Sequence, residues 1–194
     1  VRSIMLELLQ SIDRALFVFL NGLGSPSWDA FWLLLSEKTI GAPLVLFFLW
    51  KMYHKYGLVV CLKAILALAI LILATDQLAN AFKYGFARPR PCHEPLLDVG
   101  LRLVKARCGG PYGFFSAHAA NSMAVAIFMG MLLRQFWSWF IYIGAFLAFM
   151  VGFSRIYLGV HYPFDVLIGF FIGAFFAYLA QFIFKKQVLF KQAN

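Results

Sequence analysis

The stretch Gly57–Phe82, GLVVCLKAILALAILILATDQLANAF, is apolar but for Lys63, Asp76 and a few neutral polar groups. A helix needs about 20 predominantly apolar residues to cross the hydrocarbon core of a bilayer, and this run is longer than that. Working outward, four further apolar runs have membrane dimensions: Ile40–Tyr53, which is short, Ala117–Leu133, Phe136–Tyr157 and Pro163–Phe184. Together they predict five transmembrane helices.

The whole composition agrees. Of 194 residues, 63% are hydrophobic and 13% charged, with 23 Phe. Soluble domains carry about 45–50% apolar and about 25% charged residues. That excludes a soluble globular domain, and equally a disordered chain, a coiled coil or a small disulfide scaffold. The expected fold class is an all-α integral membrane protein, a bundle of five to six transmembrane helices preceded by an amphipathic interfacial helix. A single membrane domain is expected, with residues 1–36 forming N-terminal interfacial helices, 37–185 the helical bundle and 186–194 a cytoplasmic tail.

The interfacial helix is read at Ser3–Leu20, where Glu7, Gln10, Ser11 and Arg14 recur at helical spacing on one face, with a tilted span as the alternative. The charges within the run and the lack of a small-residue cleavage site argue against a signal peptide, so this segment is expected to stay in the mature protein. Trp28–Leu35, after the turn-rich Asn21–Pro26, is too brief to span and is placed at the interface.

The net charge is +9. No basic amphipathic segment lies outside the apolar runs, so nucleic acid is not an expected partner. One set of helix ends carries Lys51, Lys55, Arg134, Lys185, Lys186 and Lys191; the opposite loop carries Lys83, Arg88, Arg90, Arg102, Lys105 and Arg107. The positive-inside tendency is therefore tied. If several loop cations bind an anion, only the first set reports topology, and the C-terminus is cytoplasmic with the long loop outside.

That loop, Lys83–Phe115, holds four of the seven prolines and begins Lys83-Tyr84-Gly85-Phe86-Ala87-Arg88-Pro89-Arg90-Pro91. Lys and Arg there suit phosphate oxygens; the alternative is that they are interface anchors. The loop ends at Ser116-Ala117-His118. Ser116 is placed as an N-cap, which turns free helical N–H groups toward a bound anion. His161 and Asp165 follow in Ser154-Arg155-Ile156-Tyr157-Leu158-Gly159-Val160-His161-Tyr162-Pro163-Phe164-Asp165. Four residues apart, the carboxylate can fix the imidazole tautomer and leave the other ring nitrogen as a nucleophile. Asp76 and Asn80 are expected to brace the site or pair with a basic residue, and Cys61 to be packing. Cys92 and Cys108 leave a disulfide open.

Lys83-x6-Arg90-Pro91, Ser116-Ala117-His118 and Ser154-Arg155-x5-His161-x3-Asp165 resemble, in order, the three motifs of the type 2 phosphatidic acid phosphatase superfamily. Arg88-Pro89 is an extra copy of the Arg-Pro pair and leaves the assignment of the arginine open. In the second motif Phe115 and Ala117 stand where the family usually has Pro and Gly. The resemblance implies that His161 attacks phosphorus, oriented by Asp165, and that His118 protonates the leaving oxygen. It also implies that Lys83, Arg90, Ser116, the Ala117 amide and Arg155 hold the phosphoryl oxygens, with no metal and no cofactor.

The expected activity is removal of a terminal phosphate from a membrane lipid, with the site at the outer face of a bacterial cytoplasmic membrane. Undecaprenyl diphosphate is the preferred substrate, ahead of phosphatidylglycerol phosphate, phosphatidic acid and lipid A phosphates. A phosphotransferase using the same phosphohistidine, and a non-catalytic lipid binder or transporter, are the alternatives.

Overall fold

A computed structural model describes residues 2–37, 39–94, 101–105, 107–134 and 136–189. The elements are α1 (Arg2–Gly22), α2 (Pro26–Leu35), α3 (Ala42–Phe86), a 3-10 turn at Pro91–His93, α4 (Ala117–Leu133), α5 (Phe140–Tyr157) and α6 (Pro163–Leu189). The all-α reading holds. By length and composition α3, α5 and α6 can each cross a bilayer, and α4 is a shorter apolar helix.

The runs read separately at Ile40–Tyr53 and Gly57–Phe82 form one continuous element, α3, broken at Gly57, where φ is 78° and ψ 177°. That backbone region is essentially open to glycine alone. The chain doubles back there: in a straight helix Leu49 and Cys61 would lie about 18 Å apart along the axis, yet the Cys61 thiol sits 3.5 Å from the Leu49 carbonyl oxygen. α3 is thus two antiparallel arms, 42–56 and 58–86, which with α4, α5 and α6 make five apolar helices. α5 starts at Phe140 rather than Phe136. α6 runs on to Leu189, so 186–189 are helical, while 190–194, including Lys191, lie outside the described residues.

α4 is the central helix, with nine of its 17 residues buried, as expected of a helix that is apolar all round. Between helices in lipid there is little hydrophobic driving force, so close van der Waals packing decides the arrangement. α6 uses glycine for this: a Cβ on Gly173 would stand 2.2 Å from the Ala120 carbonyl oxygen of α4. Outside, Leu58, Val59, Leu62, Leu66, Ile70 and Leu73 of α3 are exposed and form a lipid-facing surface.

The two ends of the bundle differ. At one, Lys55 lies 3.8 Å above the Phe136 ring and Lys51 lies 4.6 Å over Trp50 and 5.2 Å over Trp137, an aromatic and cationic belt suited to headgroups. At the other end α1 lies across the tips of α5 and α6. Its Asp13 accepts from the Phe164 N–H, Phe17 packs edge-on against Tyr162, and Asn21 donates to the carbonyls of Ile156 and Tyr157. All these contacts are to the end of α5 and the start of α6, and α1 is not among the helices long and apolar enough to cross a bilayer.

Candidate active site

The α5–α6 turn is built by backbone capping. The Val160 and His161 N–H groups both donate to the Arg155 carbonyl, closing the end of α5 and folding His161 back beside the Arg155 side chain. Pro163 opens α6, as its missing N–H and fixed φ favour. Asp165, two residues on, reaches back to accept the Tyr162 N–H at 3.1 Å through Oδ2, in the manner of a capping box. The same oxygen lies 3.4 Å from His161 Nδ1. His161 is 2% exposed and Asp165 fully buried.

α4 is joined to this turn at its first residue. The Ser116 N–H donates to the Asp165 carbonyl at 2.9 Å, and the Ser116 hydroxyl caps the helix by accepting from the Ala119 N–H at 3.5 Å. His118, in the first turn of α4, therefore faces the same cavity as His161.

The long loop folds by pairing its two ends. Arg90 N–H donates to the Pro111 carbonyl, Gly113 N–H to the Arg88 carbonyl, and Cys92 and Cys108 are joined by a disulfide. Within this frame the two arginines have different surroundings. Arg90 is braced by the carbonyls of Tyr112 (3.1 Å) and Cys108 (3.3 Å) and lines the cavity. Arg88 turns behind the site and pairs with Asp165 Oδ1 at 2.8 Å and Asp13 Oδ2 at 2.7 Å.

The cavity has a volume of about 800 Å³. At its polar head stand Lys83, Arg90, Ala117, His118, Arg155 and His161. Arg155 is bonded to the Ser36 hydroxyl, and its Nε has no hydrogen-bond partner among the described residues. Burial first, then Arg90, Arg155 and Lys83, holds the His161 pKa well below the ordinary imidazole value, so the ring is neutral at pH 7. Burial also lowers Arg90. A neutral imidazole with three cations nearby can act as a nucleophile toward an anionic group.

Below the head, the cavity follows α5 through Val151, Ala148, Leu147 and Gly144 to Phe140, a descent of about 22 Å at the helical rise. Asp76 and Asn80 line it near the head, and Asp76 accepts from Asn121 at 2.8 Å. Glu37 also lines the cavity and stands near Arg155. The one grouping of potential metal ligands among the described residues is Cys92, His93 and Cys108. Its sulfurs are already spent in the disulfide.

All eight expected site residues thus gather at one end of the bundle: six line the cavity, while Ser116 and Asp165 support it from behind. Asp13, Glu37 and Ser36 were not singled out in the sequence. Asp13 carries the one available signal, a carboxylate set within the otherwise apolar Ile12–Leu20 run, beside Arg14.

An apolar bundle with a two-histidine anion pocket at one end defines a class: phosphoryl chemistry on a membrane-borne substrate. Residues 57–188 match the PAP2 superfamily, and the chain belongs to it as a membrane lipid phosphatase of that type. It is similar to the lipid A 4'-phosphatase of Bacteroides thetaiotaomicron, 38% identical over 186 residues covering 94% of this chain and 81% of that one. The lipid A 4'-phosphatase of Porphyromonas gingivalis is 34% identical over 170 residues, 87% of this chain and 71% of that one. In fold it is similar to the crystal structure of a transmembrane PAP2-type phosphatidylglycerolphosphate phosphatase from Bacillus subtilis, with a TM-score of 0.72 at 22% identity over 92% of this chain and 87% of that one.

Proposed function

We propose that this protein hydrolyses a phosphate monoester on a lipid A-type glycolipid, through a phosphohistidine on His161. The observation that carries this reading is a neutral, buried His161, backed by Asp165 and faced by Lys83, Arg90 and Arg155, at the head of a groove some 22 Å long. With its proton on Nδ1 toward Asp165, His161 presents the Nε2 lone pair to phosphorus. The P–O bond to the sugar breaks as the P–N bond forms, and His118 gives its proton to the departing oxygen. Water then attacks phosphorus, His118 takes back a proton, and the P–N bond breaks to release inorganic phosphate. Lys83, Arg90, Arg155, the Ala117 N–H and the capped N-terminus at Ser116 stabilise the charge that grows on the phosphoryl oxygens.

Likeness to two lipid A 4'-phosphatases over most of the chain moves the preferred substrate from undecaprenyl diphosphate to a lipid A phosphate. Glu37, Asp76 and Asn80 beside the head favour the same choice: they can accept from sugar hydroxyls, whereas carboxylates repel the second phosphate of a diphosphate. The apolar groove suits an acyl chain.

The site end is proposed to face the outside of a bacterial cytoplasmic membrane. Lys83 and Arg90 line the cavity, and Arg88 and Arg102 are paired with Asp165, Asp13 and Asp29. With those cations committed to function and folding, the Lys51, Lys55 and Arg134 end is left as the cytoplasmic one.

The test is phosphate release by detergent-purified protein with chelator present, across lipid A, undecaprenyl diphosphate, phosphatidylglycerol phosphate and phosphatidic acid. Release from lipid A that His161→Ala abolishes is the expected result. Turnover retained by folded His161→Ala overturns the mechanism. Transfer of phosphate to a second lipid in place of release would identify a phosphotransferase.

A further inference from the structure

We infer that Arg88 and Asp13 are positioning residues for the reaction, and that the interfacial helix α1 thereby takes part in assembling the site. The inference rests on the role given above to His161 and Asp165.

Asp165 has two oxygens with different tasks. Oδ2 is occupied by His161 Nδ1 and the Tyr162 N–H. Oδ1 accepts from Arg88 Nη1 at 2.8 Å. A carboxylate held only on its His161 side could rotate about its χ2 bond, and the imidazole would follow it. With the guanidinium on the second oxygen, that rotation costs a charge-assisted bond in a site from which water is largely excluded.

Arg88 is itself held at three points. Its Nη2 donates to Asp13 Oδ2 at 2.7 Å, its guanidinium carbon lies 4.1 Å over the Tyr162 ring, and its carbonyl accepts the Gly113 N–H. Asp13 is in turn tied to the start of α6 by the Phe164 N–H at 2.9 Å, and Phe17, one turn further along α1, meets Tyr162 edge-on at 5.4 Å. The chain Asp13–Arg88–Asp165–His161 therefore runs from α1 through the loop into the turn that carries the nucleophile. Both carboxylates are fully buried and the Arg88 side chain is 18% exposed. The two Nη atoms address two different carboxylates, a fork that a lysine can only half reproduce.

The chemistry of this chain is separate from that of the phosphate pocket. Lys83, Arg90 and Arg155 line the cavity with His161, whereas Arg88 and Asp13 do not line it. Their loss should thus lower kcat and leave KM nearly unchanged, because the substrate's charge is still met while the nucleophile is misaligned.

The experiment uses the full chain in detergent micelles with bis-phosphorylated lipid A, or with phosphatidic acid if that is the member of the panel turned over. Arg88→Ala should lower kcat by on the order of 10²-fold, the scale of a misplacement of about 1 Å at a reacting group, with KM held within about threefold. Arg88→Lys, or added guanidinium on Arg88→Ala, should restore part of kcat. Asp13→Asn, which keeps an oxygen for the Phe164 N–H, should lower kcat by a smaller factor, beyond any loss of folded fraction seen in its melting curve. It decides the matter if Arg88→Ala does not fold.

Folded Arg88→Ala and Asp13→Asn with kcat within about threefold of wild type would overturn the inference. A loss of rate that only follows the folded fraction, with no recovery by lysine or guanidinium, would do the same. His161→Ala run alongside separates the two readings. If it is inactive while the Arg88 and Asp13 variants work, only the positioning role fails; if it is active, the nucleophile assignment fails.

Discussion

His161 is buried beside Asp165, and burial first, then the nearby Arg90, Arg155 and Lys83, disfavours its protonated form. Its folded-state pKa is lowered, so the native protein refuses a proton that the unfolded chain accepts below about pH 6.5. The sign follows directly: the contribution to stability is intact above that pH and is lost as pH falls toward the folded value. Thermal melts in detergent should show wild type losing stability between about pH 6.5 and 5 by an amount that His161→Gln does not lose, at most about 1.4 kcal/mol per pH unit. Parallel melting curves for the two proteins would show that the imidazole is already charged in the native state. At this scale the sequence was informative about residue identity, because a His–x3–Asp spacing on a helix start brings the two groups within reach. It could not rank Arg88 against Arg90. That choice rests on which arginine the Pro89–Tyr112 pairing and the Cys92–Cys108 disulfide turn toward the cavity.

Among the elements, the contact between α4 and α6 governs the site, because the first residues of both helices are joined by the Ser116 N–H to the Asp165 carbonyl. Gly173 is what allows the approach. A Cβ there would lie 2.2 Å from a backbone oxygen of α4, which cannot swing aside as a side chain could. Gly173→Ala should therefore destabilise by about 1–3 kcal/mol and lower activity by parting His118 from His161. Gly22→Ala, whose Cβ meets nothing within 4 Å, should do neither. Melting temperature and phosphate release on the two variants check this. The helices themselves were legible from hydropathy and length. The fusion of two runs through a reversal at Gly57 was not, because a glycine between apolar stretches reads equally as a loop, a kink or a packing position.

For the molecule as a whole, the site and the Lys51–Lys55–Arg134 belt lie at opposite ends, so a single labelling experiment fixes the orientation. After reduction, Cys92 and Cys108 should react with an impermeant maleimide on intact cells, while a cysteine introduced at Arg134 should not. The reverse pattern would place the site in the cytoplasm. Taken alone, the sequence determined the solvent and the chemistry of this protein. Its apolar runs leave no stable environment but a bilayer, since so much apolar side-chain surface cannot be hidden from water within 194 residues, whereas lipid accepts it on helices whose backbone is internally satisfied, and three short motifs carry the residue types that phosphoryl transfer needs. Only the tertiary structure decided which arginine lines the cavity, which one holds Asp165, and which residues of α1 reach the α5–α6 turn. Those outcomes depend on contacts between residues as far apart as Asp13, Arg88 and Asp165. Hydropathy is a sum over neighbours in the chain, whereas the direction of a side chain is set by the close packing of neighbours in space.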